Sequence, residues 1–186
     1  MSAISDSPII DPKSRFHPVY SRAGMVVSQE VIASRIGADI LALGGNAVDA
    51  AVATGFALAV TLPRAGNLAG GGFMLIHLTR ESKTIALDFR EVAPARASRD
   101  MFLNLHGEVD NQLARSSIKS SGVPGTVAGL LHAHEKYGQL PLKQVIQPAI
   151  DLASKGIIVN VDLAHSIVSR AKRLTKNSAT KKYYFK

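Results

Sequence analysis

The stretch with the densest chemistry is Asp88-Phe89-Arg90-Glu91, at the far end of an apolar run, Thr84 to Phe89. An arginine offers a planar fork of donors that matches a carboxylate, and two flanking acids can set its direction. The same trio would also serve as an ordinary exposed salt-bridge cluster, since such pairs are common and weak. What raises interest in it is the neighbouring turn, where Gly66, Gly70, Gly71 and Gly72 lead directly into a second apolar run, Phe73 to Leu78. Glycine permits a sharp turn and equally permits another backbone or a ligand to come close, so the run suits a structural turn and a pocket wall alike.

Other groups that could do chemistry are less promising. The segment GNLAGGGF lacks the Lys-Ser/Thr of a phosphate loop and the spacing of a dinucleotide turn, and it precedes a strand rather than a helix, which argues against nucleotide binding. Of the histidines, only His132 and His134 are close, and a spacing of two on a helix sends them to different faces, so no metal pair is expected. There is no cysteine, which removes thiolate chemistry, disulfides and cysteine zinc sites, and no GxSxG elbow.

The elements that must position the trio read as follows. Met25 to Val27 suits a short strand. Ser28 suits the N-cap of a helix carrying Ile32, Ile36, Ile40 and Leu43 and stopping at Gly44-Gly45. Asn46, with Asp49 three residues on, suits the N-cap of a second helix through Val60, apolar nearly all round and therefore buried, with Asp49 explained by capping. Phe73 to Leu78 and Thr84 to Phe89, separated by five polar residues, predict an antiparallel hairpin, and their unbroken apolar character predicts a sheet covered on both faces. Residues 92 to 125 read as a long loop. Helices return at Thr126 to Tyr137, at Pro141 to Lys155 with a kink at Pro148, and after Asn160, with Leu163, Ile167 and Ala171 on one face.

Three segments result: an extended leader over 1–23, a partial domain over 24–174, and a basic, poorly ordered tail over 175–186. The net charge of +8 is concentrated in the last seventeen residues, which hold seven bases and no acid, so the body is nearly balanced and no nucleic-acid partner is expected. The longest apolar run, Ala50 to Leu62, is too short to span a bilayer, and the first twenty residues show no basic and apolar secretory pattern, so a cytoplasmic location is expected as written. Two or three strands are too few for a sheet of ordinary size, which makes the chain look incomplete.

The run GMVVSQEVIASRIGADILALGGNAVDAAVATGFALAVTLPRAGNLAGGGFML, followed by LDFREVAPARASRDMF and SGVPGTVAGLLHAHEKYG, closely resembles the front part of the gamma-glutamyltranspeptidase (glutathione hydrolase) large subunit. One departure is Ala69, where relatives commonly carry another glycine, and the missing export signal is a second, since family members are usually periplasmic or secreted. The resemblance implies an α+β N-terminal nucleophile hydrolase fold, a four-layer αββα sandwich, incomplete in this chain. It implies a precursor that cleaves itself before a threonine, whose hydroxyl then attacks the γ-glutamyl amide of glutathione and related compounds with its own amino group as base. The acyl group passes to water or to an amino acid or peptide, and that chemistry needs no metal or organic cofactor.

Residue by residue, Arg90 matches the arginine that grips the substrate α-carboxylate, Glu91 the acid beside it in a supporting role, and Asp88 a weaker support. The resemblance covers only the front of the family's chain, so the rest of the large subunit and the small subunit would be needed as partners. Thr54, Thr61, Thr79, Thr84, Thr126, Thr175 and Thr180 all lie in contexts unlike the cleavage motif, and no catalytic residue and no activity are expected of this chain alone. Two other readings remain open: a non-catalytic remnant or interaction module, and a glutaryl-type acylase on the same scaffold.

Overall fold

The computed structural model describes residues 20–185, so all but the last few residues of the 1–23 leader lie outside it. The chain is organised on α2 (Ala47–Thr61), which packs against α1 (Val31–Ala42), α4 (Thr126–Tyr137) and α5 (Leu142–Lys155). Its alanines 50, 53 and 57 and Val52 are buried, and small side chains let three neighbouring helices approach one axis. Ile40 from α1, Leu130 and Ala133 from α4, and Val145 from α5 complete the core around it.

The local sequence accounts for most element boundaries. Asn46 Oδ1 accepts the amides of Val48 and Asp49, while Asp49 Oδ2 accepts the Asn46 amide at 2.9 Å, a full capping box. Gly44, at φ 92°, follows the end of α1, and Gly138 and Gly156 end α4 and α5. The helix α5 runs through Pro148 unbroken, beginning one residue later than expected with Pro141 as its cap.

The entry to α1 differs from expectation. Residues 25–27 form no strand, and the N-cap is Glu30 rather than Ser28: the Glu30 carboxylate curls back to accept the Ala33 amide at 3.0 Å. Ser28 is occupied otherwise, its hydroxyl donating to the Glu30 carbonyl and lying 2.7 Å from the Ser34 hydroxyl. Two small hydroxyls that satisfy one another leave the longer carboxylate to reach the free amide.

The hairpin joins β1 (Phe73–Leu78) to β2 (Lys83–Asp88), antiparallel, with Phe73 opposite Asp88 and Leu78 opposite Lys83. A single 3-10 turn closes it, with Ser82 in the left-handed region at φ 48°. The sheet is covered on one face only among the described residues. Met74, Ile76, Leu78, Ile85 and Leu87 turn inward, while Phe73 and Leu75 remain 65% and 76% exposed. The runs are apolar on both faces, as read, but no described layer lies on the second one. One helical layer and one sheet are thus what this chain contributes to an αββα sandwich, an incomplete α+β fold.

The long connection after β2 is less irregular than its composition suggests. It contains α3 (Asn111–Ser116), capped by Asp110, and bridges Val92 to Val123 and Leu103 to Val109. Beyond α5, Asn160 caps α6 (Val161–Ser169) through the Leu163 amide, and Ala171 opens a separate turn, α7 (Ala171–Leu174), instead of continuing it. Within 175–186, expected to be poorly ordered, Asn177 caps a short helix, α8 (Ser178–Tyr184). None of the described helices is long and apolar enough to cross a membrane.

Candidate functional site

Three segments converge at the end of β2: the glycine run, the strand end with its charged trio, and the loop that leads into α4. Gly72 and Phe89 extend the ladder one step, with the Phe89 amide donating to the Gly72 carbonyl at 3.0 Å. The Gly70 carbonyl accepts the amides of both Gly125 and Thr126 at 2.8 and 2.9 Å, which ties the glycine run to the first turn of α4. Val123 donates to the Val92 carbonyl just beyond. Of the uses open to the glycines, the structural turn and the close approach of another backbone are realised here.

The close approach is steric fact at Gly71 and at Gly125 of the loop into α4. A Cβ on Gly71 would lie 2.6 Å from the Glu91 amide nitrogen and 2.8 Å from its carboxylate, and one on Gly125 would collide with the Phe89 carbonyl. Any larger residue would push the strand end outward, and the charged trio with it.

Within the trio the roles divide. Asp88 Oδ1 accepts the backbone amide of Arg90 at 3.0 Å, holding the chain as it leaves the strand. Glu91 Oε2 accepts from Arg90 Nε at 2.9 Å. The Arg90 side chain is two-thirds exposed, and its two terminal nitrogens donate to no other group among the described residues. Fixing Nε alone leaves the outer edge of the fork free for a planar anion. Glu91 is held below the usual carboxylate range, first by its own backbone amide, then by the Arg90 guanidinium and the Gly71 amide, while slight burial acts the other way. All three residues singled out from sequence therefore come together in one place, and Phe89, Gly125, Gly129 and His132 line a shallow open depression beside Arg90.

The two neighbouring histidines part as helical spacing requires. His132 is exposed toward that depression, whereas His134 is largely buried and donates from Nε2 to the Leu140 carbonyl at 2.9 Å. His134 also lies 3.6 Å from Asp49. Asp49 itself does more than cap α2. Wholly buried, it accepts the amides of Gln139 and Leu140 at 3.0 to 3.3 Å, while Asn46 Nδ2 donates to the Tyr137 carbonyl at 2.6 Å. The start of α2 is thereby locked to the connection between α4 and α5. Sequence reasoning reached Asp49 only as a cap, because its remaining partners lie about ninety residues away in the chain.

The family described as Gamma-glutamyltranspeptidase matches residues 33–186. The chain is 52% identical over 170 residues to a glutathione hydrolase proenzyme of Escherichia coli strain K12, covering 91% of this chain and 29% of that protein. A solved structure of Helicobacter pylori gamma-glutamyltranspeptidase superposes with a TM-score of 0.87 at 46% identity, covering 91% of this chain and 48% of the other. An acylase proenzyme, ACY 1 of a Pseudomonas strain, is 38% identical over 166 residues, 86% of this chain and 30% of that protein. The chain thus spans less than half the length of the relatives it matches.

Proposed function

The chain belongs to the gamma-glutamyltranspeptidase family, and from that premise we propose that its strand-end corner grips the α-carboxylate of a γ-glutamyl substrate. The observation that carries the reading is the Arg90 fork, pinned through Nε by Glu91 and open at its outer edge. A free α-carboxylate is planar and accepts two parallel donors, which is what that edge presents. Asp88 holds the backbone in place, and Glu91 keeps its charge so that Arg90 stays aimed.

The protein to which this corner contributes would cleave γ-glutamyl amides such as glutathione and pass the γ-glutamyl group to water, an amino acid or a peptide. Gripping the carboxylate fixes one end of the substrate and so brings its distant amide carbonyl to a constant position. The attacking group is not among the threonines of this chain. Thr54, Thr61 and Thr175 donate to helix carbonyls one turn back, Thr84 pairs with His77 Nδ1 at 3.0 Å, and Thr126 opens α4. The attacking threonine is one whose amino group self-cleavage exposes, and none of the seven threonines of this chain lies in a context like the cleavage motif. Further large-subunit sequence and the small subunit are the partners this reading requires.

The likeness to the acylase supports a second reading, in which the same corner receives a glutaryl-type acyl group that has no α-amino group. The experiment that tests the carboxylate grip joins this segment to the remaining sequence of the Escherichia coli relative and follows release of aniline from a γ-glutamyl anilide. Arg90→Lys keeps the charge and loses the fork, so KM should rise about tenfold or more with a smaller change in kcat. An unchanged KM would sink the carboxylate grip. The unjoined chain should release no aniline, and turnover by it would overturn the assignment of the nucleophile elsewhere.

A further inference from the structure

A second concave site shares no residue with the Asp88 to Glu91 corner. It lies between the turn after α2 and the helical path through α6 and α7. Leu163 and Ile167 recur at helical spacing on α6, and Arg170 at its end together with Arg173 and Leu174 of the separate turn α7 lines the same cup. Leu163 and Ile167 form an apolar floor, with Tyr184 of α8 at one side. Arg170 and Arg173 stand on the rim, and Arg64 enters from the turn after α2.

The charge balance of this cup points to its ligand. Arg64 is held by Asp162 at 2.8 Å, and Asp162 is the sole acid in the sequence after Asp151. Arg170 and Arg173 have no ion pair among the described residues. Three guanidiniums against one carboxylate leave two positive charges over an apolar floor. A phosphate monoester carries about −1.5 to −2 near neutral pH and offers three acceptor oxygens, enough for two or three guanidiniums at once. A carboxylate carries half that charge and fills one fork.

We propose that this cup binds a phosphate monoester of a small molecule with an apolar body, the phosphate between Arg170, Arg173 and Arg64 and the body over Leu163, Ile167 and Tyr184. The test is calorimetric titration of the protein with phenyl phosphate, alongside inorganic phosphate and phenol. Phenyl phosphate should bind at least about tenfold more tightly than either, because each separate part makes only half of the contacts. The double variant Arg170→Gln/Arg173→Gln should lose that binding. Ser166→Asp, which places a negative charge in the cup without removing any arginine, should lose it as well. Equal affinity for inorganic and phenyl phosphate would overturn the proposal by showing the apolar floor unused. So would undiminished phenyl phosphate binding in Ser166→Asp or in a double variant with the parental circular dichroism spectrum.

Discussion

Replacing Asp49 by alanine should lower folding stability by about 3–5 kcal/mol, although the residue is far in sequence from most of what it holds. The magnitude follows from the donors left behind. Asp49 is wholly buried and accepts the amides of Asn46, Gln139 and Leu140, the first at the start of α2 and the others in the connection between α4 and α5. A buried donor without an acceptor costs about 1–3 kcal/mol, and three of them would reach the upper end only if none could find water. All three amides are only partly buried, so the lower half of that range applies to each of them. Asn46 continues to cap Val48 and the residue at 49, so α2 itself should persist. Asp49→Asn retains one acceptor oxygen but points an amino group at neighbouring amides, and should cost about 2 kcal/mol. Urea unfolding followed by far-ultraviolet circular dichroism reads both values as shifts in midpoint at constant slope. Hydrogen exchange should accelerate first at the Gln139 and Leu140 amides. A loss under about 1 kcal/mol for Asp49→Ala, with exchange at those amides unchanged, would refute the view that one carboxylate locks two parts of the helical layer.

The remaining predictions concern the strand-end site and its sheet. Because Glu91 is held below the usual carboxylate range in the folded chain, its contribution is fully present above the unfolded value and is lost as pH falls through the depressed one. A carbon-13 titration of the Glu91 carboxyl should give a midpoint below that of an unfolded peptide, and Arg90→Gln should move it partly back. A midpoint unaffected by that substitution would remove Arg90 as a cause. Alternation along β1 predicts opposite outcomes for adjacent residues: Ile76→Ala should cost about 2–4 kcal/mol and Leu75→Ala less than about 0.5 kcal/mol in urea unfolding. Ile76 is 6% exposed and Leu75 76%, so equal losses would mean that both faces of the hairpin are covered in solution.

Much of the local architecture was legible in the sequence because its causes act within a few residues. Asn46 and Asp49 announce a capping box at a spacing of three, the hairpin runs announce themselves by apolar character and a polar turn, and Thr126 to Tyr137 forms a helix over the expected span. The Asp88 to Glu91 trio was likewise visible as a charged strand end. What the sequence could not decide were choices made by competition or by distant neighbours. Glu30 caps α1 because Ser28 and Ser34 satisfy each other across the entry, an outcome that depends on the path of the backbone. The sheet has one covered face because coverage belongs to whatever packs on it, not to the apolar pattern of its strands. Asp49 gained its second set of partners, and Gly71 and Gly125 their place against Phe89 and Glu91, only when segments remote in the chain met. Capping and periodicity are satisfied within one turn or one strand, so residue order determines them. The place of the Arg90 corner against the glycine run and the loop into α4 depends on close packing between three separate segments, and only the tertiary structure decides it.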